Sequence, residues 1–214
     1  MRFLTWNVNG LGKRGVTAVE EMSVDNEIAC SCFQELHATK SLALRKNSFF
    51  SNNRLWSLPY PDTNLVGSFQ SKEYASRDGI NHFLEETRRI HFLQRDKLFI
   101  INAYLPFAHN QLKQKMYNQL IVQLRKLVAA EFKVILLGDF NAPFDFSEKC
   151  IATDADFYSK LQALNFHDSY RIAEDTTNSR LTFNERLDFI FVSDSLIDKV
   201  NRAEFLVEYD TSDH

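Results

Sequence analysis

The sequence predicts an α/β protein whose sheet layers are covered by helices, and three observations carry that prediction. Short segments rich in aromatic and β-branched residues alternate with segments of helical periodicity from one end of the chain to the other. Several of the short segments are apolar on both faces, as strands buried between layers are. The 214 residues, 44% hydrophobic and 25% charged, suffice for one large soluble domain with a sizeable core.

The elements follow in order. Phe3-Leu4-Thr5-Trp6-Asn7 reads as a short strand that runs into a polar loop over 7–13. A helix around Gly15 to Met22 precedes an apolar strand, Ile28-Ala29-Cys30-Ser31-Cys32-Phe33, which ends at Gln34-Glu35. The stretch 47–80, rich in Asn, Ser, Pro and aromatics, carries no clear period. Leu98 to Tyr104 is a buried strand, stopped by Pro106. The strongest helix spans Gln111 to Ala130, with Leu112, Met116, Leu120, Leu124 and Leu127 on one face and Ile121 and Val128 beside them. Lys113, Lys115, Gln119, Gln123, Arg125 and Lys126 are expected away from that stripe. Lys133 to Gly138 is a strand that ends in Asp139-Phe140-Asn141. A short helix near Asp156 to Leu164, a strand Leu187 to Val192 and a strand Ala203 to Val207 complete the chain.

Composition excludes several classes. Six Gly and four Pro leave no room for a collagen-like or linker-rich chain. The longest apolar runs, such as Val134 to Leu137, fall far short of the ~20 residues a membrane span needs. Three Cys cannot build a disulfide scaffold and suggest a reducing compartment. A net charge of −3 argues against a basic coat for nucleic acid, though not against a local basic surface. With no secretory signal pattern after Met1, the expectation is an intracellular protein, nuclear or cytoplasmic.

The chemistry sits where apolar strands stop. Asn7, Glu35, Asp139 with Asn141, and the chain end Ser212-Asp213-His214 follow such strands, and Asp188 lies inside one. If those ends converge, they assemble carboxylates, carboxamides and one His around a single cleft. Oxygen-only ligands suit a hard cation, Mg²⁺ or Mn²⁺, whereas no Cys/His spacing for structural zinc is present. One His beside carboxylates suits phosphoester hydrolysis, where a water must be activated and charge on phosphorus stabilised. Any one of these residues alone is as good a turn or cap former as a ligand. The ordered set is the signal.

Trp6-Asn7-Val8-Asn9-Gly10, Gln34-Glu35, Asn102-Ala103-Tyr104-Leu105-Pro106, Gly138-Asp139-Phe140-Asn141, Arg186-Leu187-Asp188-Phe189 and Ser212-Asp213-His214 resemble, in order, the motifs of the endonuclease/exonuclease/phosphatase superfamily. Val66 to Lys72 resembles that family's central strand, and Leu164 to Arg171 the segment before its late motifs. The resemblance implies a four-layer sandwich of two mixed β-sheets flanked by helices. It implies Glu35 as the principal Mg²⁺ ligand, helped by Asn7 and Asp213. By the same resemblance, Asp139 orients or deprotonates the attacking water and Asn141 holds the nucleophile or a phosphate oxygen. His214, oriented by Asp188, would donate to the phosphate that Tyr104 also contacts. Asp188 is costly to bury unpaired within a strand, which fits such a partner.

Tyr104-Leu105-Pro106 resembles the branches related to exonuclease III, whose substrate is DNA, rather than the lipid and inositol branches. The short stretch 181–186, with Phe183 where abasic-site enzymes carry Trp, weakens a repair reading. Gly138-Asp139-Phe140-Asn141-Ala142-Pro143 looks more like the endonucleases of non-LTR retrotransposons. The expectation is therefore a Mg²⁺-dependent DNA-nicking enzyme of retroelement type, a monomer or the N-terminal domain of a larger polyprotein. The alternatives are an abasic-site repair enzyme, a phosphodiesterase acting on RNA, lipid or small esters, and a non-catalytic binding module. Residues 1–214 read as one domain that lacks the strand expected after His214, and Phe107 stands where relatives carry Asn or Gln.

Other polar residues take plainer readings. His37, His82, His91, His109 and His167 have no motif around them, and Cys30 and Cys32 belong to the core. Glu86 is structural and Cys150 is unassigned. Arg88, Arg89, Arg95 and Lys97, or Lys113, Lys115, Arg125 and Lys126, are candidates for phosphate contacts, although such runs are usually solvated faces.

Overall fold

A computed structural model describes residues 1–10, 13–37, 48–51, 54–57, 65–71, 88–108, 111–144, 150–174 and 186–204. The first sheet holds β1 (Arg2–Asn7), β2 (Ile28–Gln34), β3 (Ser48–Ser51), β4 (Arg54–Ser57) and β5 (Val66–Ser71), in the order β1-β2-β5-β4-β3. The second holds β6 (Ile90–Arg95), β7 (Leu98–Tyr104), β8 (Lys133–Asp139), β9 (Phe166–Asp168) and β10 (Asp188–Ser193), in the order β6-β7-β8-β10-β9. Each sheet is mixed: β1 with β2 and β7 with β8 are parallel, and the other neighbours are antiparallel. The helices are α1 (Lys13–Asp25), α2 (Gln111–Ala129), α3 (Ala152–Ala163) and α4 (Ser169–Glu174), followed by a 3-10 turn at Asp194–Lys199.

The period of two along each strand sorts the side chains into three cores. Cys30 and Cys32 of the first sheet meet Leu93, Ile100, Ile135, Leu137 and Val192 of the second, so the sheets pack face to face. Val8, Phe33, Trp56 and Phe69 point the other way and pack with Val19 of α1. Phe99, Ile101, Leu136, Phe189 and Phe191 leave the outer face of the second sheet and meet α2 and α3 through Met116, Leu120, Leu124, Phe157 and Leu161. The result is the expected four-layer sandwich of two mixed β-sheets flanked by helices. Burying apolar groups on both faces of a sheet requires such outer layers.

The helix expected over 111–130 forms at Gln111–Ala129, but its buried face is turned from the expected one. Lys113 is buried at 1% exposure, while Leu112 and Val128 are exposed. Lys113 lies seven residues before Leu120, about two turns, and so falls at the centre of the face rather than beyond it. A long side chain with internal polar partners takes a place that hydrophobicity alone gives to Leu112. The helix expected near Asp156 starts earlier, at Ala152. Strands β3 and β4 lie in the stretch that carried no clear period, and the sequence reading also left out β6, β9 and α4. Ala203 and Glu204 are not strand, and 205–207 lie outside the described residues. Cys30 and Cys32 are buried free thiols, as expected.

Candidate active site

The strand period places one line of side chains from each strand between the sheets, apolar at depth and polar at the edge. Phe3, Thr5 and Asn7 share this face of β1, Cys30, Cys32 and Gln34 that of β2, and Ile100, Asn102 and Tyr104 that of β7. Ile135, Leu137 and Asp139 do the same on β8, and Val192, Ile190 and Asp188 on β10. Because β1, β2, β7 and β8 all end at this edge and antiparallel β10 begins there, their polar ends meet. Asp188 lies directly across from Asp139 in the ladder.

Loop bonds hold the edge. Val8 and Gly10 N–H donate to the carbonyls of Gln34 and Glu35, and Leu105 N–H donates to that of Asp139. Gly138, at φ +139, leaves no space for a side chain, since a Cβ would lie 1.9 Å from the Ala103 carbonyl oxygen. One layer below, Asn102 donates to the Phe33 and Gly67 carbonyls of the facing sheet at 3.0 and 3.1 Å, and Gln34 donates to Asn102 at 2.6 Å. This buried amide cluster ties the sheets together beneath the site, a role the sequence reading did not assign to either residue.

Asp139 is the most enclosed member, with 0% exposure. Its Oδ2 accepts from Asn7 Nδ2 at 2.9 Å and Asn141 Nδ2 at 3.1 Å, and its Oδ1 accepts from Asn141 N at 2.8 Å. An ionised carboxylate, which only accepts, meets all three donors. Asn141 Nδ2 also donates to the Leu105 carbonyl at 2.9 Å. Asn7 reaches Glu35 Oε1 as well, at 3.1 Å, so one amide bridges the two carboxylates. Glu35 and Asn141 both occupy the left-handed backbone region, at φ +50 and +47. That conformation is uncommon outside glycine and concentrates at functional sites.

Tyr104 donates its hydroxyl to Glu35 Oε1 at 2.6 Å, and the Arg89 guanidinium lies over its ring at 4.6 Å. Burial, reinforced by the Glu35 carboxylate, pushes the phenol up to about 12, so Tyr104 is a proton donor at neutral pH. Burial also raises the Glu35 carboxyl, but hydrogen bonds from Tyr104, Asn7 and His37 outweigh it and the net shift is downward. A lowered folded value means these bonds stabilise the protein fully above the carboxyl's ordinary 4.5 and are lost as pH falls through the lowered value. The expected result is a difference in Tm between wild type and Glu35→Gln that shrinks in acid, as pH falls below 4.5. A difference that stays constant as pH falls from neutral through the acid range would contradict it.

Arg186, 3% exposed, makes a bidentate pair with Asp168, 2.6 Å on each arm, and its Nε donates to the Asp188 carbonyl at 3.3 Å. It anchors the start of β10 and so the backbone that carries Asp188. Of the eight expected site residues, the structure brings Asn7, Glu35, Tyr104, Asp139, Asn141 and Asp188 to one edge; Asp213 and His214 lie outside the described residues. Asn7 and Tyr104, expected at metal and phosphate, here donate to Glu35. His37 is exposed beside Glu35 at 3.2 Å, and His82 and His109 lie outside the described residues. Arg186 lies in the Arg-Leu-Asp-Phe motif and Lys113 among the candidates for phosphate contacts, but neither was expected in these roles: Lys113 is buried and binds the Asn141 carbonyl, not solvent-side phosphate. The spacing of Lys113 on α2 was the signal for it.

Paired carboxylates, amide donors and a protonated phenol at the edge of a two-sheet sandwich suit the hydrolysis of phosphoester bonds. The chain belongs to the endonuclease/exonuclease/phosphatase family, whose model matches residues 4–214. Among solved structures it is similar to a 3′–5′ exonuclease (NExo) from Neisseria meningitidis, with TM-score 0.68, 22% identity, and 92% of this chain and 89% of that one covered. An AP endonuclease from Archaeoglobus fulgidus matches with TM-score 0.68, 16% identity, and 92% and 87% covered. The catalytic domain of APE2 from Xenopus laevis matches with TM-score 0.65, 20% identity, and 92% and 84% covered. No curated protein matches the chain. No described helix is long and apolar enough to cross a membrane.

Proposed function

We propose that the protein is a Mg²⁺-dependent endonuclease that nicks DNA, leaving a 3′-hydroxyl and a 5′-phosphate, and that it is of retroelement type. The observation that carries the reading is Tyr104, of the Tyr-Leu-Pro pattern that resembles the DNA-cutting branches, with its hydroxyl on Glu35. The donors present fit a hard cation. Glu35 is a carboxylate whose hydrogen bonds favour the ionised form, and carboxylate and amide oxygens are the ligands such a cation takes. Glu35, with Asn7 and Asp213, would hold it, and when bound it would neutralise charge on the phosphate oxygens.

Asp139, kept rigid by Asn7 and Asn141, aligns the attacking water and accepts its proton. The water oxygen bonds to phosphorus as the P–O3′ bond breaks, and the departing 3′ oxygen takes up a proton. His214, oriented by Asp188, donates to the phosphate as negative charge builds on it. Arg89, just before β6, supplies positive charge beside Tyr104 for the DNA backbone.

The test is cleavage of supercoiled plasmid beside a matched abasic-site oligonucleotide, with Mg²⁺ and with EDTA. Metal-dependent nicking of intact plasmid is the expected result. Cleavage confined to the abasic oligonucleotide would make the protein a repair enzyme, a reading to which the Archaeoglobus AP endonuclease lends support. Silence on both substrates would overturn the nicking and abasic-site readings and turn the assignment to another phosphoester.

A further inference from the structure

The helix α2 puts a lysine where a core residue belongs, and the lysine reaches the catalytic turn from below. Lys113 Nζ donates to the Asn141 main-chain carbonyl at 2.8 Å and lies 3.4 Å from Asp154 Oδ1. Asp154, from α3, is fully buried and accepts from the Tyr117 hydroxyl at 2.7 Å. Three residues of the outer helical layer, with the Cys150 thiol near them, thus form a buried polar cluster under the turn 139–141. Burial pushes the Lys113 ammonium down, while the carboxylates of Asp154 and Asp139 act in the opposite direction. The lysine charge is therefore felt by the catalytic carboxylate as well as by its structural partner.

We propose that Lys113 is a positioning residue for Asp139, acting through the Asn141 backbone. Asn141 adopts a left-handed conformation, and its amide N–H and side chain supply two of the donors to Asp139. Such a backbone state persists only when surrounding contacts over-determine it. The Asn141 side chain binds the Leu105 carbonyl on one side, and Lys113 binds the Asn141 carbonyl on the other. The second of these contacts holds the 141–142 peptide plane and so restrains, from its far side, the Asn141 Cα that bears both donors. Lys113 touches neither water nor phosphate in this scheme. Its effect is on the geometry of a carboxylate whose misplacement by an ångström costs about a hundredfold in rate. The scheme relies on the DNA-nicking reading for its substrate, but not for the geometry it describes.

The test compares wild type, Lys113→Met and the double variant Lys113→Met/Asp154→Asn. The single variant leaves the Asp154 charge buried without the lysine and is expected to be unstable. The double variant removes both charges and keeps an acceptor for Tyr117, so it is expected to fold. In it, kcat for plasmid nicking is expected to fall roughly a hundredfold, with KM within about threefold of wild type. Amide hydrogen exchange at Phe140, Asn141 and Ala142 is expected to quicken about tenfold while that of β7 and β8 is unchanged. A wild-type kcat in the folded double variant overturns the proposal. So does exchange that quickens throughout the protein, or a double variant that does not fold, since the cluster would then serve stability alone. If wild type does not cut DNA, the substrate reading fails, and the exchange pattern, which needs no substrate, decides the role of Lys113 alone.

Discussion

Asp139→Asn is expected to lower kcat for DNA nicking by about 10²–10⁴-fold, the range that loss of a positioned general base produces. The variant keeps the size of the side chain and changes its hydrogen-bonding sense. Wild-type Asp139 accepts from Asn7 and Asn141 on one oxygen and from the Asn141 N–H on the other. An amide there must point its NH₂ at one of those sets, so a donor meets a donor in a fully enclosed position. The turn therefore loses alignment at the same time as the carboxylate that takes the water's proton. Steady-state nicking with circular dichroism as the folding control measures the effect. A folded Asp139→Asn with turnover within threefold of wild type would remove Asp139 from the role assigned here. His214→Ala is expected to act on the same chemistry from the phosphate side.

Arg186→Met is the substitution with the largest expected effect on stability. Removing one partner of a buried ion pair leaves an uncompensated charge and costs about 3–5 kcal/mol. Here Asp168, 6% exposed, keeps the Tyr170 N–H at 3.1 Å and the more distant Arg171 at 3.7 Å, which points to the lower end of that range. The methionine also forfeits the guanidinium's stacking on Phe189 at 4.3 Å and Tyr170 at 5.0 Å. For a domain of this size the loss corresponds to a fall in Tm of roughly 6–12 °C. Adding Asp168→Asn removes the stranded charge and is expected to recover part of the loss. An unchanged Tm in the single variant would show that solvent reaches the pair. Because Arg186 also bonds the Asp188 carbonyl, turnover measured well below Tm is expected to fall as well.

The two predictions differ in how readily the sequence discloses them. Asp139 stands at the end of Val134-Ile135-Leu136-Leu137, so both its strand and its special position are local features. Arg186 stands two residues before Asp188 in the chain, yet its partner Asp168 lies 18 residues away at the end of β9. No local period connects them. The same distinction separates β7 and β8, read directly from their apolar runs, from β3 and β4, four-residue segments without a clear period that are held by pairing of β4 with β5 and of β3 with β4. It also explains Lys113. Helical spacing put it on the buried face, but its polarity argued for solvent, and only the carbonyl of Asn141 and the carboxylate of Asp154 reverse that preference.

By itself the sequence determined the layered α/β class and the strand ends that carry the polar groups, because strand period and the polar stop of each strand are local properties, and the family through the resemblance of its ordered motifs. The tertiary structure alone decided how those groups engage one another. Asn7 bridges Glu35 and Asp139, residues 28 and 132 positions away, Tyr104 donates to Glu35, and the Asn102 amide joins the facing sheets. Each of those bonds joins residues far apart in the chain. Their directions depend on how the two sheets pack against each other, which local periodicity does not encode.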